Sequence, residues 1–275
     1  MNCQMLNIGC GARFHADWVN VDLAASAPGV RAMNILKGLD FPDASFEIVY
    51  HSHLLEHLPP EAAPAFLREC ARVLAPNGVL RVAVPDLEQI AREYLRALHD
   101  ADTCAAGAPD RLSWMTMELI DQMTRNWYGG RLALFAQKAS PDLRRFALER
   151  WGLEARRLWG ETGKSAQRRD AEPHIHFCKK IRTAVKNRLA KLLLGRDYPA
   201  YQSCLYRQSG EIHQWMYDRV SLKGLLEEAG FSEISVASAA SSRIPGWAEF
   251  KLDTDENGAA CKPDSLFMEG TKRAR

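Results

Sequence analysis

No run of about 18 apolar residues occurs anywhere in the sequence, so a membrane-spanning helix is not expected. The opening residues, Met1 to Gly9, hold neither the basic nor the apolar stretch of a secretory leader. There is no Cys-x-x-Cys pair, and the seven cysteines (Cys3, Cys10, Cys70, Cys104, Cys178, Cys204 and Cys261) are odd in number and scattered. That pattern excludes a disulfide framework and points to reduced thiols in a cytoplasmic protein. Internal repeats and low-complexity tracts are also missing, which excludes a solenoid. Apolar residues at 47% and charged residues at 25% leave no room for a disordered, collagen-like or coiled-coil chain. What remains is an ordinary globular composition in 275 residues, enough for one large domain or a core with a sizeable insertion.

A net charge of +2 hides an uneven distribution. Residues 164–207 carry 11 Lys/Arg against 3 Asp/Glu, and the rest of the chain is acidic. From Lys179 to Arg196 there are seven basic residues and no acids, with Ile181, Val185, Leu189, Leu192 and Leu193 falling on one helical arc. The pattern fits an interfacial helix that meets an anionic membrane surface, or equally a helix that packs its apolar arc on the core. Specific nucleic-acid binding is not expected, because the remainder is acidic and no RNA-binding module is evident.

The first ninety-odd residues alternate β-rich runs with helix-period runs, the pattern of a parallel sheet covered by helices. Strands are expected at Met5–Ile8, Trp18–Val21, Arg31–Ile35, Phe46–Tyr50 and Val79–Val84, with helices at Glu61–Leu74 and Leu87–Leu98. Pro76-Asn77-Gly78 reads as a turn. Residues 99–209 lose the rhythm and read as a helical insertion, after which Ser221–Ala229 is a helix and Ile234–Ala239 and Ser265–Gly270 are strands. The expected organisation is a core formed by 1–98 and 210–275, with 99–209 as a lid or substrate region.

The first strand ends in Gly9-Cys10-Gly11, and the second in Asp22. Glycines let backbone approach a ligand closely, and a carboxylate at the next strand tip accepts from ribose hydroxyls. A dinucleotide fingerprint would need a third glycine at position 14, which is Phe14, and an acid about 20 residues on. On Leu6 to Gly11, Trp18 to Leu23, Leu39 to Tyr50, His53 to Leu58, Leu74 to Gly78, Val84 to Leu87, His213 to Asp218 and Glu228 to Phe231, the chain resembles a class I S-adenosylmethionine-dependent methyltransferase. The branch is bacterial, of methyltransferase type 11, with a very short first helix. The resemblance implies a Rossmann-like α/β core with a seven-stranded, mostly parallel sheet, and S-adenosylmethionine as cofactor. It places Gly9, Cys10 and Gly11 against the methionine portion and Asp22 on the ribose. Leu23, Asn34, Ile35 and Ser52 would complete the cofactor site, with Asn34 facing the adenine amine where the family usually has Asp.

His53 and His57 follow the fourth strand, at the sheet edge where ligands bind, and either suits a general base for an alcohol. The alternative for Glu56 and His57 is capping and orienting the next helix. His213 and Tyr217 would share a face if that segment is helical, with His213 as a second candidate base or a structural histidine. Asp86 could orient a base or bind a hydroxyl, and equally could cap the helix from Leu87. The triplet His51, His53 and His57 lacks a complete ligand set, so no metal is expected. His174 and His176 read as loop residues. The branch resembled suggests O-methylation of a saccharide or lipid-linked glycan hydroxyl, in the cytoplasm or peripherally at the inner membrane. Alternatives are N- or C-methylation of a small metabolite, nucleic-acid binding, or silent cofactor binding.

Overall fold

The computed structural model describes residues 4–160 and 186–274. Seven strands form one sheet: β1 Met5–Ile8, β2 Val19–Asp22, β3 Val30–Ala32, β4 Phe46–Ser52, β5 Leu74–Pro85, β6 Phe231–Ala237 and β7 Ser265–Lys272. Their order is β3-β2-β1-β4-β5-β7-β6. The first five are parallel, and β7 runs antiparallel to both β5 and β6. Leu6, Ile8, Val49, Leu80, Val82 and Val84 are fully buried, as strands covered on both faces require. On one face they pack against α1 (Ala63–Val73), whose Ala63, Phe66, Leu67, Cys70 and Val73 form its buried stripe.

The connection from β1 to β2 is too short for a helix. Asn7 and Asn20, both buried, hold it instead: Asn7 Nδ2 donates to Arg13 O and Asn20 Oδ1, and Asn20 Nδ2 donates to the carbonyls of His15 and Trp18. The space a first helix would fill is taken by residues from the other end of the chain. Trp18 and Tyr50 pack edge-on against Trp247, and Trp18 also meets Phe250. Arg13 donates to the carbonyls of Lys251 and Thr254.

Beyond α2 (Leu87–Asp102) come α3 (Ala108–Thr124), α4 (Gly130–Ala136), α5 (Pro141–Trp151) and α6 (Leu153–Leu158), with no strand among the described residues before β6. These helices share a second apolar cluster around Trp114, Met115, Leu132, Leu143 and Ala147. Residues 186–194 are helical and lead through a tight turn into α7 (Tyr198–Arg207); α8 (Arg219–Glu228) follows, opened by the Asp218 capping box.

Several expectations are corrected in detail. Pro76-Asn77-Gly78 lies within β5 rather than in a turn between elements; the ladder shifts register there and Asn77 takes φ +64°, a bulge in place of a reversal. The sixth strand begins at Phe231, three residues earlier than its β-rich run. Residues 211–217 are not helical, so His213 and Tyr217 share no helical face; Tyr217 instead bridges Asp86 in parallel pairing. His174, His176 and the first part of the Lys179–Arg196 stretch, with Ile181 and Val185, lie outside the described residues. Within the described part, Leu192 and Leu193 are 80% and 82% exposed, so this portion of the arc does not pack on the core.

Candidate active site

The glycine loop is built by backbone geometry. Gly9 and Gly11 have φ of +67° and +53°, a region that side chains rarely adopt. A Cβ on Gly9 would meet the Leu54 side chain at 3.0 Å, whereas one on Gly11 would meet nothing within 4 Å, because that face is open. Gly9 and Cys10 both donate to Val21 O, fastening the loop to β2. Gly11 N donates to Asp22 Oδ2 at 2.7 Å, which aims the carboxylate across the loop mouth and leaves Oδ1 free of that contact. Cys10 is buried, and burial followed by the Asp22 charge pushes its thiol up to about 12, so it is inert packing. Leu23 and Leu36 stand 68% and 58% exposed on either side of this edge.

Next to β1 in the sheet, β4 ends in Ser52, and His53 takes φ +50°, a strained conformation for a histidine. The strain is held by His53 N donating to Ala83 O, and by the ring, whose Nε2 lies 2.8 Å from Ser265 Oγ. Its Nδ1 is 3.2 Å from Glu56 Oε1. Glu56 and His57 belong to a 3-10 turn, Leu55–His57. His53, His57 and His213 line a cavity of about 520 Å³ between the sheet edge and the helical layer. Its far wall includes Glu118, Asp121 and Arg125 of the α3 region, Glu154 and Arg157 of α6, and Lys262.

Burial dominates the electrostatics. It lowers His213 to about 3 and lowers His53 as well, so both rings are neutral at physiological pH. Burial acts to raise the Glu56 carboxyl, but the contact with His53 first, and the proximity of His57 and His213, outweigh it and hold the group below the usual carboxylate range. Tyr217, fully buried with an unpartnered hydroxyl, is raised to about 12 by burial and then by Glu56.

A glycine turn after β1, a carboxylate at the tip of β2 and the 3-2-1-4-5-7-6 order with an antiparallel β7 occur together in one sheet. Residues 6–82 match the family described as Methyltransferase domain. This stretch is similar to methyltransferase domains, and the sheet has the strand arrangement of the class I methyltransferase fold. Over 99 residues the chain is 36% identical to a protein of Mycobacterium tuberculosis named "Probable S-adenosylmethionine-dependent methyltransferase", covering 30% of this chain and 35% of that one. It is 48% identical over 48 residues to a methyltransferase of Aspergillus luteorubrus, 17% of each chain. The match thus spans about a third of the Mycobacterium tuberculosis relative's length. A methyltransferase structure from Archaeoglobus fulgidus aligns over 98% of this chain and 86% of that one, at 12% identity and a TM-score of 0.39.

S-adenosylmethionine is the cofactor named for the relatives, and the residues present fit it: an open glycine face, a carboxylate already aimed, and exposed apolar side chains at the adenine end. One residue departs. Asn34 Oδ1 accepts from Leu36 N at 3.1 Å, capping the 3-10 turn Ile35–Lys37, so the amide oxygen expected to face adenine is already engaged. Ser52 sits beside the loop at the end of β4.

The structure brings His53 and His213 into one cavity wall, although they are 160 positions apart in sequence. Asp86 is elsewhere: its side chain accepts from Gln89 N as the cap of α2, and it is not among the residues lining the cavity. Lys262, Asp264 and the α3 acids were not singled out by sequence, since no motif joins them to the glycine loop. His53-Leu54-Leu55-Glu56-His57 did carry a usable signal, because residues three and four apart meet on one side of a helical turn.

Proposed function

We propose that this protein transfers a methyl group to a small, polar, hydroxyl-bearing acceptor held in the 520 Å³ cavity. The observation that carries the reading is the run Ser52-His53-Leu54: Leu54 lies over Gly9 of the cofactor loop while the adjacent His53 lines the cavity. Donor and acceptor sites are thus one residue apart, as a direct displacement demands. When bound, S-adenosylmethionine supplies an electrophilic methyl group on a sulfonium. His53, with its Nδ1 proton toward Glu56, presents Nε2 as an acceptor; an acceptor hydroxyl that replaces Ser265 at that nitrogen can pass it the proton. The many paired charges of the wall favour a polar ligand, and the volume suits one or two sugar-sized rings. A saccharide hydroxyl is the acceptor most in keeping with that lining.

The test is release of S-adenosylhomocysteine across a panel of sugars, polyols, amines and apolar alcohols, with the methylated atom located by mass spectrometry. Polar hydroxyl acceptors should be turned over. His53→Ala should lower turnover by roughly 10² to 10⁴ and leave cofactor affinity intact. Methylation confined to amines or carbon acids would overturn the acceptor assignment, and full turnover by His53→Ala would remove that residue from the reading.

We further infer that the basic segment around 186–196, with its exposed leucines, touches an anionic surface. Co-sedimentation with anionic but not neutral vesicles, lost at high salt, is the expected result; indifference to both would end this reading.

A further inference from the structure

Methyl transfer as described asks nothing of His57 or His213 beside the cavity, and of Glu56 only its contact with His53. Glu56 and His57 stand on the 3-10 turn after β4, and His213 on the extended segment that returns after the helical layer. One ligating atom from each lies within 4.8 Å of the other two. Glu56 is fully buried; its Oε1 meets the His53 ring at 3.2 Å, and its Oε2 has no hydrogen-bond partner among the described residues. A carboxylate so placed is costly unless a cation meets it. His213 is 6% exposed, and its Nδ1 is likewise without a partner.

The surrounding bonds hold these side chains in place. His57 Nδ1 is 3.0 Å from the Ile212 carbonyl, which makes it the protonated nitrogen and leaves Nε2 with its lone pair. Fixing the tautomer through a backbone carbonyl is how metal-ligating histidines are commonly oriented. Gln214 N and Trp215 N both donate to Glu56 O, at 2.6 and 3.2 Å, and His213 N donates to Gln122 O at 3.1 Å. Three remote stretches of chain are therefore tied together at this point. The two imidazoles meet edge to face, with centroids 4.8 Å apart.

We propose that Glu56, His57 and His213 form a binding site for a divalent first-row transition metal ion. Two imidazoles and one carboxylate suit Zn²⁺, Co²⁺, Fe²⁺ or Mn²⁺, and are a poor match for Ca²⁺ or Mg²⁺, which prefer oxygen alone. At metal–ligand distances of about 2.0–2.1 Å the ligand atoms would stand about 3.4 Å apart in a tetrahedron, so side-chain rotations must close the widest present spacing by about 1.4 Å. Three protein ligands leave a further position, and His57 and His213 both line the cavity, so that position opens toward the acceptor. His53, beside Glu56 Oε1, then becomes the residue that orients the carboxylate. This set differs from the triplet His51, His53 and His57: His51 is fully buried in the core with its ring 5.2 Å from Phe66, and belongs to no cluster of ligands among the described residues. The site rests on side-chain placement and is independent of the acceptor assignment.

It is tested on chelator-treated full-length protein, without cofactor or acceptor, by calorimetric titration with Zn²⁺ and by the absorption spectrum with Co²⁺. One ion per chain is expected. His57→Ala and His213→Ala should each weaken binding by about 100-fold or more, His53→Ala by about 10- to 100-fold, and the exposed His99→Ala not at all. Thermal melts establish that each variant is folded. The Co²⁺ spectrum should show no thiolate charge-transfer band, which reports the ligand set even if a variant fails to fold. No binding at about 100 μM Zn²⁺, unchanged affinity in folded His213→Ala, or a thiolate band would each overturn the site.

Discussion

We propose that Asp22 does two things at once, and they can be separated. One oxygen accepts from Gly11 N at 2.7 Å and shapes the loop, leaving the other for the ribose hydroxyls of the proposed cofactor. Asp22→Ala is expected to weaken S-adenosylmethionine binding by roughly 1–3 kcal/mol in calorimetry, because both the loop bond and the charged acceptor are lost. Asp22→Asn retains an acceptor for Gly11 and should fall between. Asp22 was legible from sequence because strand tip and glycine turn are close in the chain. His53 was legible only as a position: its φ of +50°, its Ser265 partner and its neutral ring come from residues as distant as β7. Asn34 shows the opposite, a local bond to Leu36 N that claims a side chain expected to look outward.

At the scale of elements, β5 reads in sequence as a strand buried on both faces, and it carries Arg81 at its centre. The guanidinium is fully buried between Asp253 and Glu269, at 2.8 and 2.7 Å, donates to the carbonyls of Ser238 and Ser241, and lies 4.3 Å from the Trp247 ring. It therefore ties β5 to β7 and to the segment that substitutes for the missing first helix. Arg81→Met should cost about 3–5 kcal/mol in a denaturant melt, since two buried carboxylates lose their counterion. A change near zero would mean that aromatic packing alone secures that segment. In the helical layer, Glu118 plays a related part, accepting from Trp114 Nε1 at 3.1 Å and pairing with Arg150, so that α3 and α5 share one buried contact.

At the scale of the molecule, the two apolar clusters meet where β7 begins. Asp264 sits there, its carbonyl accepting from Asp86 N and its side chain in the cavity wall. Burial, then the Glu118 charge, raise its carboxyl to about 7, against the partial relief of Lys262 and Arg150. Between its ordinary value near 4 and about 7 the folded chain holds a proton the unfolded chain has lost, so stability from this group falls as pH rises through that window. Asp264→Asn is accordingly expected to raise stability at pH 8 by about 1–3 kcal/mol and to leave it unchanged near pH 4. Parallel melts of both proteins across pH check it.

Order and spacing in the first ninety residues determined the five parallel strands, the glycine turn and the carboxylate at the tip of β2, because each depends on neighbours in sequence: period, turn chemistry and a strand tip. Glu56 and His57 were visible as residues but not as a pair with His213, and Arg81 was visible only as a charge in an apolar strand. Tertiary structure alone decided these. It brings remote segments into contact, as between Arg81 and Glu269, 188 positions apart, and burial then sets which groups stay charged.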